Sequence, residues 1–133
     1  MRALNFLASL FAVVFALTGC SSGSSTVEDG ATLTVEAFAS AMTEPGTVLI
    51  DVRTPAEYAA GHIDGALSID IASPEFATQI GKLDKSKKYA LYCRSDNRSG
   101  QAMKLMRDSG FGFVYHLGGG IGAWQAAGKP LVR

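Results

Sequence analysis

Cysteine is scarce in this chain, and neither sign of charge is in excess. Its 133 residues include two cysteines, and 12 lysines and arginines are balanced by 12 aspartates and glutamates. Because no basic run is present, the composition indicates neither a nucleic-acid partner nor a purely electrostatic contact with a membrane. The longest apolar stretch, from Leu4 to Leu17, is shorter than the roughly 20 residues that span a bilayer. An uncleaved transmembrane anchor is therefore disfavoured as well.

The N-terminal segment has the pattern of a cleaved export signal. Arg2 precedes the apolar stretch, and Leu17-Thr18-Gly19-Cys20 follows it. This tetrapeptide resembles the lipobox of bacterial lipoproteins, in which the cysteine becomes the lipidated first residue of the mature chain. We therefore expect a signal peptide at residues 1–19, a lipid anchor on Cys20 and an extracytoplasmic domain. Because Ser21 is not the aspartate that retains many lipoproteins at the inner membrane, the periplasmic side of the outer membrane is favoured in a host with two membranes.

The rest of the chain divides into a tether and one domain. Residues 20–30 include small, polar side chains, the composition of a flexible tether. Residues 31–133 are enough for a single domain. Short apolar runs in this domain alternate with helix-like stretches, which is typical of a parallel sheet with helices on its faces. The clearest predicted strands are 48–52, 88–92 and 113–117.

Two helix starts follow from capping residues. Thr54 is a predicted N-cap, with proline at the first helical position and Glu57 completing a capping box, so a helix is expected over Pro55 to Ala60. Ser73-Pro74 repeats the start signal and predicts a helix over 74–80.

The segment Cys93-Arg94-Ser95-Asp96-Asn97-Arg98-Ser99 connects a predicted buried strand to a predicted helix that continues to Asp108. Backbone N–H groups at such a junction, together with the helix dipole, hold an anion and favour a thiolate. With Cys20 taken by the lipid, Cys93 is expected to be the only thiol of the mature domain. We interpret Cys93 as a nucleophile, and the alternative is a buried, inert cysteine.

Four separated signatures stand in this domain. They are Asp51-Val52-Arg53, Glu57-Tyr58-x-x-Gly61-His62-Ile63-x-Gly65-Ala66, Cys93-Arg94-Ser95-x-x-Arg98-Ser99 and Gly119-Gly120-x-x-Ala123-Trp124. In this order they resemble the rhodanese family of sulfurtransferases, over essentially the whole domain. The resemblance implies an α/β fold, a single domain with a central parallel sheet of about five strands flanked by helices.

The resemblance also implies a chemistry. Cys93 would take sulfane sulfur from a small anionic donor such as thiosulfate, become a persulfide, and pass the sulfur to cyanide or a thiol. A protein persulfide or a protein thiol is a further candidate partner, and neither a metal nor an organic cofactor is implied. The rest of the loop is then predicted to bind substrate, through the cations of Arg94 and Arg98 and through Ser95, Asn97 and Ser99.

Asp96 departs from the family pattern, because many relatives carry glycine at this place in the loop. Aspartate tolerates a left-handed backbone better than most residues, so the loop is still expected to form. Its charge is expected to oppose a dianionic donor. The loop from Cys93 to Arg98 encloses four residues, one fewer than in related phosphatases and arsenate reductases, which disfavours those chemistries.

The remaining candidates have open interpretations. Asp51 and Arg53 are predicted either to support the loop from the neighbouring strand end or to pair with each other. His62 is predicted to be a turn or packing residue rather than a general base. His116 is distant in sequence from Cys93 and is disfavoured as a general base even more than His62. The alternative to an enzyme is a binding or redox-carrier module that docks a partner and uses Cys93 for mixed disulfides or not at all.

Overall fold

The computed structural model describes residues 26–133. The expected signal peptide at residues 1–19 and the expected lipidation site Cys20 lie outside the described residues. Within residues 26–133, no helix is both long enough and apolar enough to cross a bilayer.

Strands and helices alternate along the described part of the chain. In order they are β1 Thr32–Leu33, α1 Val35–Ala41, β2 Thr47–Asp51, α2 Pro55–Ala60, β3 Leu67–Ser68, α3 Phe76–Gly81, β4 Lys88–Tyr92, α4 Asn97–Asp108, β5 Phe113–Leu117 and α5 Gly120–Ala126. The strands form one five-stranded sheet in the order β1-β5-β4-β2-β3. Every pairing is parallel. The predicted α/β fold with a parallel sheet of about five strands is confirmed.

The two predicted helix starts fare differently. At α2 the capping box forms, because the Thr54 hydroxyl accepts from the Glu57 backbone N–H at 3.3 Å and the Glu57 carboxylate accepts from the Thr54 N–H at 3.1 Å. At α3 the helix begins at Phe76 rather than at Pro74. Here the Ser73 hydroxyl accepts from the Glu75 N–H at 3.1 Å, so Ser73 stabilises a turn that precedes the helix.

Side-chain alternation along the strands divides the core into two layers. Tyr89, Leu91 and Cys93 belong to the cluster on the α3 and α4 face of the sheet. Ala90 and Tyr92 belong to the cluster on the opposite face, with residues of α1 and α5. Because side chains of a strand point alternately to the two faces, this assignment fixes the side of the sheet on which Cys93 lies.

The folded domain begins before Ala31. The Gly30 N–H donates to the Val114 carbonyl at 2.7 Å, and the Val114 N–H donates to the Asp29 carboxylate at 2.9 Å. Asp29 also pairs with Arg107 at 3.0 Å. The sequence placed Asp29 and Gly30 in the tether, whereas both are hydrogen-bonded to Val114 of β5. Composition alone did not reveal this, because the residues are small and polar.

The strand order places β4 between β5 and β2. In a parallel sheet the carboxyl ends of adjacent strands meet at one edge, where ligand sites of α/β folds lie. Cys93 directly follows β4, so its loop is flanked by the chain that leaves β2 on one side and by the chain that leaves β5 on the other.

Candidate active site

Cys93 lies beneath the loop that joins β4 to α4. It is 1% exposed and packs with Ala102 and Met106 of α4 in the core. Its sulfur therefore faces the first turn of the helix rather than bulk solvent. A thiol in this position is shielded from adventitious oxidants, and a substrate must reach it through the loop.

The backbone of the loop is available to an anion. Among the described residues, none of the N–H groups from Arg94 to Ser99 has an acceptor. They include the first N–H groups of α4, which have no intrahelical partner by geometry and lie at the positive end of the helix dipole. Arg94 is exposed and forms no ion pair within residues 26–133, so its charge adds to the same field.

Arg98 is held by a carboxylate of α2. Its Nη1 and Nη2 donate to the two oxygens of Glu57 at 2.8 and 2.9 Å, a bidentate pair. Arg98 thereby lowers the pKa of Glu57 to about 2, and Glu57 raises the pKa of Arg98. The charge of Cys93 makes a smaller contribution that also raises the Arg98 pKa. The pair fixes the guanidinium at the loop. The Glu57 carboxylate offsets part of the positive field that Arg98 would otherwise create there.

Asp51 and Arg53 pair with each other. Arg53 Nη2 lies 2.7 Å from Asp51 Oδ2, and the two side chains are 7% and 0% exposed. The same nitrogen donates to the Gly61 carbonyl at 2.7 Å, which joins the end of β2 to the end of α2. Burial is the largest influence on the Arg53 pKa and lowers it, but the hydrogen bonds and charge of Asp51, together with the charges of Tyr92 and Glu57, outweigh burial and raise the pKa. The pair shapes the segment beside the loop, and no hydrogen bond joins it directly to the loop within the described residues.

The chain that leaves β5 holds the loop through its backbone. The Ile121 N–H donates to the Cys93 carbonyl at 2.9 Å, and the Gly122 N–H donates to the Arg94 carbonyl at 3.2 Å. Gly120 stands so close that an added Cβ would lie 2.5 Å from the Cys93 carbonyl oxygen and in contact with the Ser95 carbonyl oxygen. Its φ of +55° also disfavours a side chain. The glycine signature therefore permits α5 to approach the loop.

Two further side chains lie behind the sulfur on this side. Cys93 Sγ is 3.4 Å from Ser99 Oγ, and Ser99 Oγ is 2.8 Å from His116 Nδ1. Ser99 is fully buried, and His116 of β5 is 5% exposed. Burial lowers the His116 pKa, and the nearby Asp96 carboxylate opposes that shift. The imidazole therefore stays neutral at physiological pH, joined to Cys93 through one hydroxyl.

The side chains of the other predicted loop residues are exposed and form no hydrogen bond to the Cys93 sulfur within the described residues. Asn97 Oδ1 accepts from Gln101 Nε2 at 3.1 Å, along the surface of α4. Ser95 and Asp96 are exposed. Asp96 has φ −154° and ψ −7° and makes no side-chain cap, so the loop forms without the left-handed conformation that the sequence argument allowed for. Any contribution of Ser95 and Asn97 to a cradle would come from their backbones.

His62 lies outside this arrangement. Its ring stacks on Tyr58 at 3.7 Å between centroids, and its Nδ1 lies 2.9 Å from the Tyr58 carbonyl oxygen. These contacts agree with a packing role. A cavity of about 200 Å³ lies nearby, and its lining includes Arg53, Glu57 of α2 and Ile121 of α5.

Sequence reasoning missed three contributors to the site. Glu57 was assigned to the capping box, which it forms, but a carboxylate with two oxygens also serves Arg98. Gly120 was quoted only as part of a signature, without a role of its own. His116 was disfavoured because it is distant in sequence, yet it pairs with Leu91 across the sheet, two residues before the thiol. The alternation of β4 and β5 carried that signal, since His116 shares a face with Cys93.

Comparison with known proteins agrees with this geometry. Residues 34–127 match the family model described as rhodanese-like domain. A sulfurtransferase of Allochromatium vinosum is 39% identical over 85 residues, which are 64% of this chain and 78% of that protein. An uncharacterized protein of Synechocystis is 37% identical over 92 residues, 68% of this chain. The chain spans about half of the Synechocystis protein, 49% of its length.

A solved structure shares the fold. The crystal structure of a rhodanese-related protein from Thermoplasma volcanium superposes with a TM-score of 0.68 at 27% identity, covering 77% of this chain and 97% of that one. The family match covers most of the described residues, including every strand except β1 and the whole Cys93 loop. This chain belongs to the rhodanese-like domain family.

Proposed function

We propose that this chain is a sulfurtransferase that carries sulfane sulfur as a persulfide on Cys93. The observation that carries the proposal is the loop itself: one thiol beneath a row of backbone N–H groups that lack acceptors among the described residues. Such a loop offers a thiolate for attack and a receptor for an anionic leaving group at the same place.

The reaction has two displacements. The Cys93 thiolate attacks the outer sulfur of thiosulfate, the sulfur–sulfur bond of the donor breaks, and sulfite leaves with the bond's electron pair. Cyanide or a thiolate then attacks the outer sulfur of the persulfide, and Cys93 departs as the thiolate. Neither step needs a general acid, because sulfite and thiolate leave without a proton.

The charges around the loop support a donor that is small and anionic. Arg94 is exposed and without an ion-pair partner among residues 26–133, whereas Arg98 is shared with Glu57. The exposed Asp96 carboxylate subtracts from the field of Arg94. Thiosulfate is a compact dianion, so the proposed order of donor preference places a protein persulfide, which carries one charge, or a polysulfide, whose charge is spread along a longer chain, ahead of thiosulfate.

The test is steady-state sulfur transfer by the full chain. Protein carrying Cys20→Ser, in which Cys93 is the only thiol, is assayed for thiocyanate from cyanide with thiosulfate or polysulfide as donor. Turnover that disappears in the Cys20→Ser, Cys93→Ser double variant supports the enzyme. Stoichiometric alkylation of Cys93 without turnover on either donor would instead favour the binding or redox-carrier module.

We further propose that the chain is a lipoprotein anchored outside the cytoplasm through Cys20. The support is the lipobox-like Leu17 to Cys20 after an apolar stretch. Cells that express the chain and receive an alkyne fatty acid should label it, and Cys20→Ser should lose the label. Cys93→Ser, which leaves the lipobox untouched, is the matched control and should keep it. Equal labelling of the two variants would contradict the anchor.

A further inference from the structure

A line of polar side chains runs from the Cys93 sulfur into the sheet and out at its edge. Cys93 Sγ is 3.4 Å from Ser99 Oγ, Ser99 Oγ is 2.8 Å from His116 Nδ1, and His116 Nε2 is 2.8 Å from Thr32 Oγ1. The line joins the loop, the first turn of α4, β5 and β1. The sulfur-transfer steps given above use neither His116 nor Thr32.

The Ser99 hydroxyl has one proton for several neighbours. Besides Cys93 Sγ and His116 Nδ1, the Asp96 carbonyl oxygen lies 3.2 Å from Ser99 Oγ. If Nδ1 is unprotonated, it takes the Ser99 proton, and the hydroxyl can then only accept from a protonated sulfur. If Nδ1 carries a proton, it donates to Ser99 Oγ and leaves the hydroxyl proton for the sulfur. The imidazole tautomer is therefore coupled to the protonation state of Cys93.

The surroundings of the imidazole are compatible with the second arrangement. The exposed Thr32 hydroxyl can donate to Nε2 or accept from it, and when it donates the ring proton is on Nδ1. Asp96 is the charged side chain whose field reaches the ring, and Cys93 is the titratable group joined to it through Ser99. The ring stays neutral because burial lowers the His116 pKa. A charged sulfur competes better than the neutral Asp96 carbonyl for the Ser99 proton.

We propose that His116 is a positioning residue for Cys93, which as the neutral Nδ1–H tautomer commits the Ser99 proton to the sulfur and so stabilises the thiolate. This inference rests on the proposed function. Within that function His116 would assist both displacements, because the Cys93 thiolate is the nucleophile in the first and the leaving group in the second. The thiol and thiolate states differ by one proton, which is released to water.

The test measures alkylation of the thiol, which needs no sulfur donor. The full chain with Cys20→Ser is treated with iodoacetamide over a range of pH. His116→Phe keeps a ring of similar size but has no donor, and we expect alkylation at neutral pH to slow about tenfold, since a hydrogen bond to a charged group is worth about that factor. The pH midpoint of alkylation should rise. His116→Asn places an amide N–H where Nδ1 stood and should stay within about threefold of the parent.

The order of the two variants separates this role from a structural one. If His116 only fills space, the smaller and more polar asparagine will disturb the buried site more than phenylalanine, and Asn will react as slowly as Phe or more slowly. Val114→Ala, a change on the same strand and the same face, controls for loss of stability and should leave the pH midpoint in place.

A second variant keeps the test decisive if His116→Phe does not fold. Thr32→Val removes an exposed hydroxyl, and we expect alkylation to slow about twofold to threefold in the same direction, since a neutral hydrogen bond is weaker than a charged one. If folded His116→Phe has the alkylation rate and pH midpoint of the parent, the inference is overturned. If His116→Phe does not fold, the same result in Thr32→Val overturns it. Because no donor is used, a parent chain without sulfur transfer but with these shifts would contradict the proposed function alone.

Discussion

On the β2 side of the Cys93 loop charged side chains form ion pairs, whereas on the β5 side backbone N–H groups and neutral side chains contact the loop. The β2 side holds the Asp51–Arg53 and Glu57–Arg98 pairs. The β5 side holds the hydrogen bonds of Ile121 and Gly122 to the loop. Salt screens the electrostatic field of the charged side chains, but it has little effect on the loop shape that the backbone hydrogen bonds determine.

The comparison shows how the shape of the loop can be held without using the Arg94 charge. If the loop were held only by ion pairs, its arginines would be neutralised by carboxylates and would offer little positive field to an anionic donor. Here the carbonyls of Cys93 and Arg94 are bound by α5, so the shape of the loop does not depend on Arg94, and the Arg94 side chain remains exposed. The β5 side thus holds the loop, and the β2 side adjusts its charge.

The largest expected effect comes from breaking the buried pair on the β2 side. Arg53→Met leaves the fully buried Asp51 carboxylate without its partner, and we expect the free energy of unfolding to fall by about 3–5 kcal/mol. Lys104→Met breaks the exposed Lys104–Asp108 pair, whose side chains are 77% and 63% exposed, and should cost less than about 0.5 kcal/mol. Urea denaturation measures both. Similar losses in the two variants would contradict the buried role of the pair.

Breaking the β5 side should remove function. Gly120→Ala forces a Cβ against the Cys93 and Ser95 carbonyls, and displacing the loop should lower sulfur transfer at least about 100-fold. Gly128→Ala is the matched control: Gly128 also has a positive φ, +74°, but no other described atom lies within 4 Å of the added Cβ. It should cost about 1–2 kcal/mol of stability and keep turnover. Equal turnover in the two variants would show that close packing at Gly120 does not matter.

The partly exposed Glu57–Arg98 pair on the β2 side should matter less, and its effect on stability should depend on pH. The Glu57 pKa is lowered to about 2 from 4.5 by Arg98, so the pair stabilises the fold fully above the unfolded value and is lost as pH falls toward 2. At neutral pH we expect Glu57→Gln to cost about 1 kcal/mol, since the side chains are partly exposed. The difference from the parent should vanish near the lower value in acid denaturation. A difference that does not change with pH would rule out the ion pair as its cause.

The smallest expected effect concerns Asp96. Asp96→Gly removes an exposed carboxylate from the loop, and turnover with thiosulfate should rise about threefold, the size of an exposed charge effect. Asp96→Asn removes the charge and keeps a side chain, so it should give most of the same gain. Neither variant should gain with an uncharged organic polysulfide as donor. Unchanged or reduced turnover with thiosulfate would contradict the charge argument.

Local signals predicted the frame of the site well. The capping box gave α2 over Pro55–Ala60, and the apolar runs gave β4 and β5 with their bounds, so Cys93 could be placed at the end of a strand. The first strand and helix, Thr32–Leu33 and Val35–Ala41, went unpredicted because a strand of two residues leaves no periodic pattern.

Local sequence signals could not predict which distant residues pair with each other at the site. Arg98 and Glu57 are 41 positions apart, and Ser99 and His116 are 17 apart. In sequence Glu57 completes a capping box, Arg98 and Ser99 belong to the loop and His116 lies on a predicted strand, so nothing nearby indicates that these residues pair with each other. The pairs form because β4 lies between β2 and β5, and that order is a property of the whole sheet. Sequence therefore located Cys93 at the end of a strand more readily than the residues that surround it.

The most direct test of the central claim is the intact mass of the chain after incubation with thiosulfate or polysulfide. The Cys20→Ser chain should gain one sulfur, about 32 Da, and cyanide should remove it. The chain that also carries Cys93→Ser should gain nothing. Absence of the adduct with both donors, in protein whose Cys93 is reduced and alkylatable, would contradict the persulfide and with it the proposed sulfurtransferase.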